Sequence, residues 1–355
     1  MVGDGTIYGK RNPLKHQINL IKDIASMKPL GPLYRKAFEL QDIVDRYPPR
    51  LSDPNKALVF SISSPPQSQH SGQVTVTRWV ASTLPEIFLR RQQATSILQR
   101  IGYFTYDAPS AERMDWHLNF AHSDLFCAYG GPLFAQDEMQ VAEHPACGSL
   151  RQALIDCRCL PATVGLDGPT PILIQGVERR CSIATDPNPE EHRPYGLYGN
   201  AFARASEIAI RKAVRLISPP TRSNLIAIEA PIGGYGKYSA EDINYVLLAA
   251  FTAFEAVVRE TKAVASSLQT VIHTGYWGCG AYGGNRELMA ILQTVCAYLA
   301  GVDQLIFYTG EDLKPFTAAL STLENLAPLD EPIPLETLAQ RLLDRKFDWG
   351  ESDGN

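Results

Sequence analysis

Val271-Ile-His-Thr-Gly275-Tyr-Trp-Gly278-Cys-Gly280-Ala-Tyr-Gly283-Gly284-Asn285 joins an apolar, β-rich run (268–274) to a helical pattern over 285–300. Five of the ten residues from Gly275 to Gly284 are glycine, which lets the backbone approach a ligand closely. The helix that follows offers unpaired N–H groups and the positive end of its dipole to an anion. Strand, glycine loop and helix in that order read as one βα unit of a parallel sheet. On the residues alone the loop admits three readings: a turn needed only for tight packing, a dinucleotide fingerprint, or a cradle for another pyrophosphate. The literal GxGxxG at Gly278, Gly280 and Gly283, with Asp303 downstream, is the case for a Rossmann dehydrogenase. Its context is poor. The acid should end the next strand, but Asp303 precedes the strand expected over 304–309, and about fifty residues then remain to finish a doubly wound sheet.

Working outward, further strands are expected over 116–121, 171–177 and 224–230, with long helices over 198–217 and 240–262. Strands alternating with crossover helices make an α/β sheet covered on both faces. The first hundred residues read differently. Helices are expected over 17–27, 33–47 and 84–101, with strands over 57–62 and 73–82 forming a hairpin or a neighbouring pair. The resulting division is a mostly helical N-terminal accessory region (1–105), a catalytic region (106–346) and a frayed tail (347–355).

A chain that is 45% hydrophobic and 20% charged has the composition of a globular protein. Its net charge of -5 leaves no global basic field for nucleic acid or an anionic membrane, so an anionic ligand must be held locally. The N-terminus lacks the features of a signal peptide, and the apolar stretch 245–254 falls well short of the roughly 20 residues a membrane span needs. Seven cysteines without a CxxC pair argue for reduced thiols in a cytoplasm rather than for disulfides or structural zinc. His117, His122 and His144 match no metal-ligand spacing and are expected to bond locally. No metal and no cofactor are expected. Ser123 and Cys127 have no identifiable base partner in the sequence.

Upstream of the loop stand three short pieces: Leu118-Asn119-Phe120-Ala121-His122, then Tyr129-Gly130-Gly131-Pro132, then Ala135-Gln136-Asp137-Glu138-Met139. Adjacent acids near a helix start commonly cap it and complement its dipole. The preceding glycines and the second motif about 140 residues later turn attention to a shared site. A second glycine-rich strand-to-helix segment, Ile228-Glu229-Ala-Pro-Ile-Gly233-Gly234-Tyr235-Gly236-Lys237-Tyr238, is either a routine turn or another wall, with Tyr235 and Lys237 as candidate protein contacts.

These pieces together resemble the poly(ADP-ribose) glycohydrolases, whose signatures are a VDFAN strand, a triple glycine, a QEE acid motif and TGxWGCGAFGGD, in that order. The resemblance spans about residues 115–312 and includes a Tyr-Gly-Leu-Tyr198 segment. It implies a macrodomain, a three-layer α/β fold with a mixed sheet, and ADP-ribose on a modified protein as the ligand. By the same resemblance, Thr274, Gly275, Trp277, Gly278, Cys279, Gly280, Ala281, Tyr282 and Gly283 hold the diphosphate and cover the distal ribose. Asn119, Phe120, Ala121, His122, Gly130, Gly131, Gln136 and Tyr198 complete the ADP-ribose site, Glu138 is the acid/base, and Asp137 orients the ribose hydroxyls.

Pro132, Asp137, Asn119 and His122 depart from the family pattern, and all lie toward the reacting sugar. Such a set resembles the PARG-like macrodomains of intracellular bacterial effectors that remove single ADP-ribose units from arginine. That linkage is the favoured expectation, with Asp124 as a candidate partner for the guanidinium. The place of action would be a cytoplasm, or a host compartment for an effector. The alternatives are a poly(ADP-ribose) glycohydrolase, a non-catalytic ADP-ribose reader and the dehydrogenase.

Overall fold

In this computed structural model, which describes residues 31–91 and 94–354, a single stretch sets the layering: Leu225 and Ala227 enter one core, Ile226 and Ile228 the other. That two-residue period is the pleat of a strand buried on both faces. It belongs to an eight-stranded sheet of β1 (Tyr34–Glu39), β2 (Gln73–Arg78), β3 (Ser96–Arg100), β4 (Arg113–Phe120), β5 (Ile172–Ile183), β6 (Val214–Ile228), β7 (Gln269–Gly275) and β8 (Gln304–Tyr308). Their spatial order is β1-β2-β5-β6-β4-β7-β8-β3. The run from β6 to β3 is parallel, whereas β1, β2 and β5 add antiparallel pairings, so the sheet is mixed.

One face carries α1 (Leu40–Arg46), α2 (Pro54–Ser63), α3 (Gln136–Glu143), α4 (Ala146–Asp156) and α5 (Glu207–Ala213). The other carries α6 (Ala240–Val264), α7 (Arg286–Ala300), α8 (Lys314–Leu326) and α9 (Leu335–Asp344). This is a three-layer α/β arrangement with a mixed sheet, as expected from the sequence. Local chemistry fixes the helix ends near the site. Ser239 and Asp242 form a capping box on α6, Asn285 caps α7, and Gly301 closes α7 in the left-handed region. None of the helices among the described residues is long and apolar enough to cross a membrane.

The first hundred residues depart most from expectation. The helix expected over 17–27 lies outside the described residues. Residues 57–62 are helical, not strand, because Asp53 accepts from the Lys56 N–H at 2.9 Å and Pro54 starts the first turn. The stretch 33–47 is a strand followed by a short helix, and 84–101 contributes the edge strand β3, whose pairing with β8 overrides its helical pattern. Three strands from this region therefore lie in the same sheet as the rest, and the boundary expected at 105 does not coincide with a break in it. Only Glu207–Ala213 of the helix expected over 198–217 is α-helical, since Val214 already pairs with β5.

Candidate active site

Parallel strands β6, β4 and β7 end side by side, and α/β folds bind ligands beyond such carboxyl ends. A cavity of about 220 Å³ opens there. Alternation along β4 sends Trp116 and Leu118 to the α6–α9 core, leaving Asn119 on the α3 side. Asn119 Nδ2 donates to Asp137 Oδ1 at 3.0 Å and to Gln140 Oε1 at 2.9 Å. Gln136 grips the strand itself: its Oε1 accepts from Phe120 N at 2.8 Å and its Nε2 donates to Leu118 O at 3.0 Å. These four contacts set α3 against β4 with Gln136, Asp137 and Glu138 lining the cavity.

Glu138 also caps its own helix, its Oε2 accepting from Ala135 N at 3.0 Å. The capping role and the cavity-lining role thus coexist in one side chain. Both acids are almost wholly buried, at 7% and 4% exposure, which disfavours their charged forms. Burial, then the neighbouring Glu138 charge, pushes the Asp137 carboxyl up to about 8. Burial also raises Glu138, against the backbone N–H groups and the Lys56 ammonium that favour its carboxylate. Such a pair retains a proton near neutrality, the state a general acid requires.

The opposite wall is the glycine loop. Trp277, Gly278, Gly280, Ala281 and Tyr282 line the cavity. Internal bonds from Gly283 N to Gly280 O (3.0 Å) and from Gly284 N to Gly278 O (2.9 Å) curl the loop back on itself. Gly278 is at φ +73°, and a Cβ there would lie 2.4 Å from the Ala230 methyl, so no other residue fits without movement. Gln293 on α7 holds the strand end below, bonding Thr274 Oγ1 and donating to Gly275 O.

Twelve of the residues named from sequence border the cavity: Phe120, Ala121, His122, Gln136, Asp137, Glu138 and Tyr198, with the five loop residues given above. The others do not. Asn119, Thr274 and Gly275 act beneath it, holding Asp137 and the end of β7. Cys279 and Gly283 belong to the loop without bordering the cavity. Gly130 packs elsewhere, since a Cβ would meet Arg50 O at 2.1 Å, and both Gly130 and Gly131 line an adjoining groove. Asp124, expected to meet a guanidinium, already holds Arg151 through both carboxylate oxygens, at 2.6 and 2.8 Å.

Cys127, Ala135 and Ala230 also line the cavity, and Ala128 and Leu133 do so without belonging to any quoted motif, because small and apolar residues carry no chemical signal in sequence. Cys127 Sγ lies 3.6 Å from His122 Nδ1, but burial and nearby Asp124 and Asp137 push its thiol up, opposite to what a nucleophile needs. His117 stacks between Tyr106 and His273, and His144 Nδ1 bonds Gln140 O, away from the cavity.

Two segments cover the loop. In the second glycine-rich stretch Tyr235 is fully exposed and Lys237 pairs with Asp348 at 2.6 Å, so Ala230 alone of its residues reaches the cavity. Residues 349–354, expected to fray, are instead laid on the loop. The Trp349 ring stacks on Tyr238 at 4.1 Å, Gly350 N donates to Gly283 O at 2.7 Å, and Asp353 N reaches Gly280 O at 3.4 Å.

The dehydrogenase reading fails on geometry. Asp303 accepts from Thr270 N at 2.7 Å at the amino ends of β7 and β8, across the sheet from the glycine loop at their carboxyl ends. It therefore cannot bind the ribose of a nucleotide held by that loop.

Residues 189–315 match the family described as "Poly (ADP-ribose) glycohydrolase (PARG), Macro domain fold". The matched segment contains the glycine loop and Tyr198, and the acid helix precedes it. Similar solved structures include a mutant poly(ADP-ribose) glycohydrolase from Thermomonospora curvata, 13% identical, covering 81% of this chain and 84% of that one at a TM-score of 0.40. The enzyme from Deinococcus radiodurans in complex with ADP-ribose is 14% identical, covering 86% and 98% at a TM-score of 0.36. No curated protein sequence matches the chain.

Proposed function

We propose that this chain, whose residues 189–315 match the poly(ADP-ribose) glycohydrolase family, hydrolyses the bond joining ADP-ribose to a modified protein, with mono-ADP-ribosyl-arginine as the favoured substrate. One observation carries the reading: Asp137 and Glu138 face the glycine loop across a single cavity although about 140 residues separate the two motifs. The loop's backbone and the adjoining helix start suit a diphosphate. At the other end, cleavage at the anomeric carbon develops positive charge on the ribose and negative charge on the leaving group.

Glu138, whose proton affinity burial raises, gives a proton to the departing nitrogen as the C1–N bond breaks. The resulting carboxylate accepts a proton from water as its oxygen bonds C1, which restores the acid. Asp137, fixed by Asn119, orients the ribose hydroxyls. Adjacent acids cannot flank one bond from opposite sides, so a single carboxyl serves both half-steps.

Arginine linkage is favoured because the departures from the family pattern, at Asn119, His122, Pro132 and Asp137, cluster toward the reacting sugar. A second reading, polymer hydrolysis, is favoured by a groove of about 420 Å³ that shares Cys127, Ala128 and Leu133 with the cavity and is lined by exposed Arg50. A cation there would suit the phosphate of a following unit. Seven free thiols fit a reducing compartment, the cytoplasm or that of a host cell.

The deciding experiment measures ADP-ribose release from Arg-, Ser- and Glu-linked proteins and from polymer. Release from the arginine-linked protein is expected to be fastest. Faster release from polymer selects the second reading, and tight ADP-ribose binding with no release from any substrate makes the protein a reader.

A further inference from the structure

Lys56 is completely buried, and no carboxylate lies within salt-bridge distance of it among the described residues. It sits in the first turn of α2, whose amino end is stitched to the turn preceding the acid helix. Ser52 N and Asp53 N both donate to Gly130 O, at 2.9 and 3.1 Å. The Lys56 Nζ donates to Tyr129 O at 3.0 Å and to Leu133 O at 2.7 Å, closing the Gly130-Gly131-Pro132 turn from below. Its remaining surroundings are the faces of Phe134 and Phe202, at 5.3 and 5.6 Å. Two residues after Leu133 comes Ala135, whose N–H holds the Glu138 carboxylate.

Neutral donors suffice to clasp two carbonyls, and burying an ammonium without a direct ion pair is costly. The charges it feels identify the compensation: Glu138 first, then Asp53 and Asp137. We propose that Lys56 is a positioning residue for the hydrolytic step, clasping the turn that delivers Glu138 and supplying the buried positive charge against which the Asp137–Glu138 pair ionises. This inference rests on the hydrolase reading. The other charged or titratable groups acting on the pair are Arg151 and Cys147 from α4 on Asp137, His122 after β4 and Tyr198 on Glu138, and Cys127 and Tyr282 on both. Arg151 and His122, the cationic groups among them, do not bond the turn that Lys56 clasps.

The test compares Lys56→Met, which loses both donor and charge, with Lys56→Gln, which keeps a donor and loses only the charge. ADP-ribose affinity should stay within about threefold of the parent for Lys56→Gln, and both limbs of the kcat–pH profile should move to higher pH by about one unit in both variants. Neutral-pH kcat should fall about tenfold. A folded variant with an unmoved profile overturns the proposal. A second measurement needs no change at Lys56. Burial holds its ammonium down to about 8, so its ¹⁵Nζ resonance titrates in an accessible range. Because coupling is reciprocal, Glu138→Gln should lower that titration further, and an unchanged titration sinks the proposal. Absence of ADP-ribose release by the parent protein would instead defeat the hydrolase reading, and the Nζ titration would still report whether Lys56 and Glu138 are coupled.

Discussion

At one end of the cavity two carboxylates are buried and held by side chains: Asn119 on Asp137, and Lys56 acting through a turn on Glu138. At the other end the wall is mostly backbone, a curled glycine loop with Trp277 and Tyr282 beside it and residues 349–354 laid over it. The first wall has tuned acidity and depends on residues from several parts of the chain. The second has shape, and depends on its own glycines and on what covers it. A carboxylate needs an environment before it is useful, whereas an N–H group needs only to be left unpaired and correctly aimed.

Four changes test that contrast, in descending order of effect. Glu138→Gln should cut kcat for ADP-ribose release at least a hundredfold while ADP-ribose affinity, measured by calorimetry, stays within about tenfold. Comparable losses in both would mean that the acid wall binds more than it reacts. Gly278→Ala attacks the other wall. With φ at +73° and the Ala230 methyl 2.4 Å away, it should weaken ADP-ribose at least tenfold and cost about 2 kcal/mol of stability. Adding Ala230→Gly should recover part of that loss, and no recovery would mean the backbone angle alone is responsible.

Stability against pH offers the third. The native Asp137 carboxyl holds its proton to about 8, far above its ordinary 3.8, so the folded state binds more protons than the unfolded one across that window. Its contribution is full below about pH 4 and is lost as pH rises through about 8. Asp137→Asn should therefore raise the melting temperature more at pH 8 than at pH 5, and an equal effect at both would deny the burial argument. The smallest effect is expected at Asp353, whose Oδ2 lies 2.9 Å from where a Cβ on Gly280 would stand. Asp353→Asn should tighten ADP-ribose by about twofold to fivefold by removing a negative charge beside the loop proposed to hold the phosphates. Weaker binding would mean that the segment helps to build the site.

Where the sequence was readable, the signal was local. Strands β4, β7 and β8, helices α6 and α7 and the glycine loop declare themselves through the period of their apolar residues, their caps and their glycines, all properties of a dozen neighbouring positions. The order of the acid motif and the loop was equally plain. In residues 31–100 the strand expected over 73–82 is present as β2, while 33–47, 57–62 and 84–101 differ from expectation for the complementary reason: β3 is a strand because β8 leaves an edge beside it, and 57–62 is a helix because Asp53 caps it, despite β-rich composition.

The amino-acid sequence by itself determined the chemical inventory: two adjacent acids, a backbone cradle, no global basic field and a parallel α/β core to display them. Only the tertiary structure decided who meets whom. It gave Asp124 to Arg151, packed Gly130 against Arg50, placed Lys56 under the acid helix and set 349–354 over the loop. Each of these is a contact between distant segments, fixed by how the chain returns on itself, and burial and charge pairing exist only once it has returned.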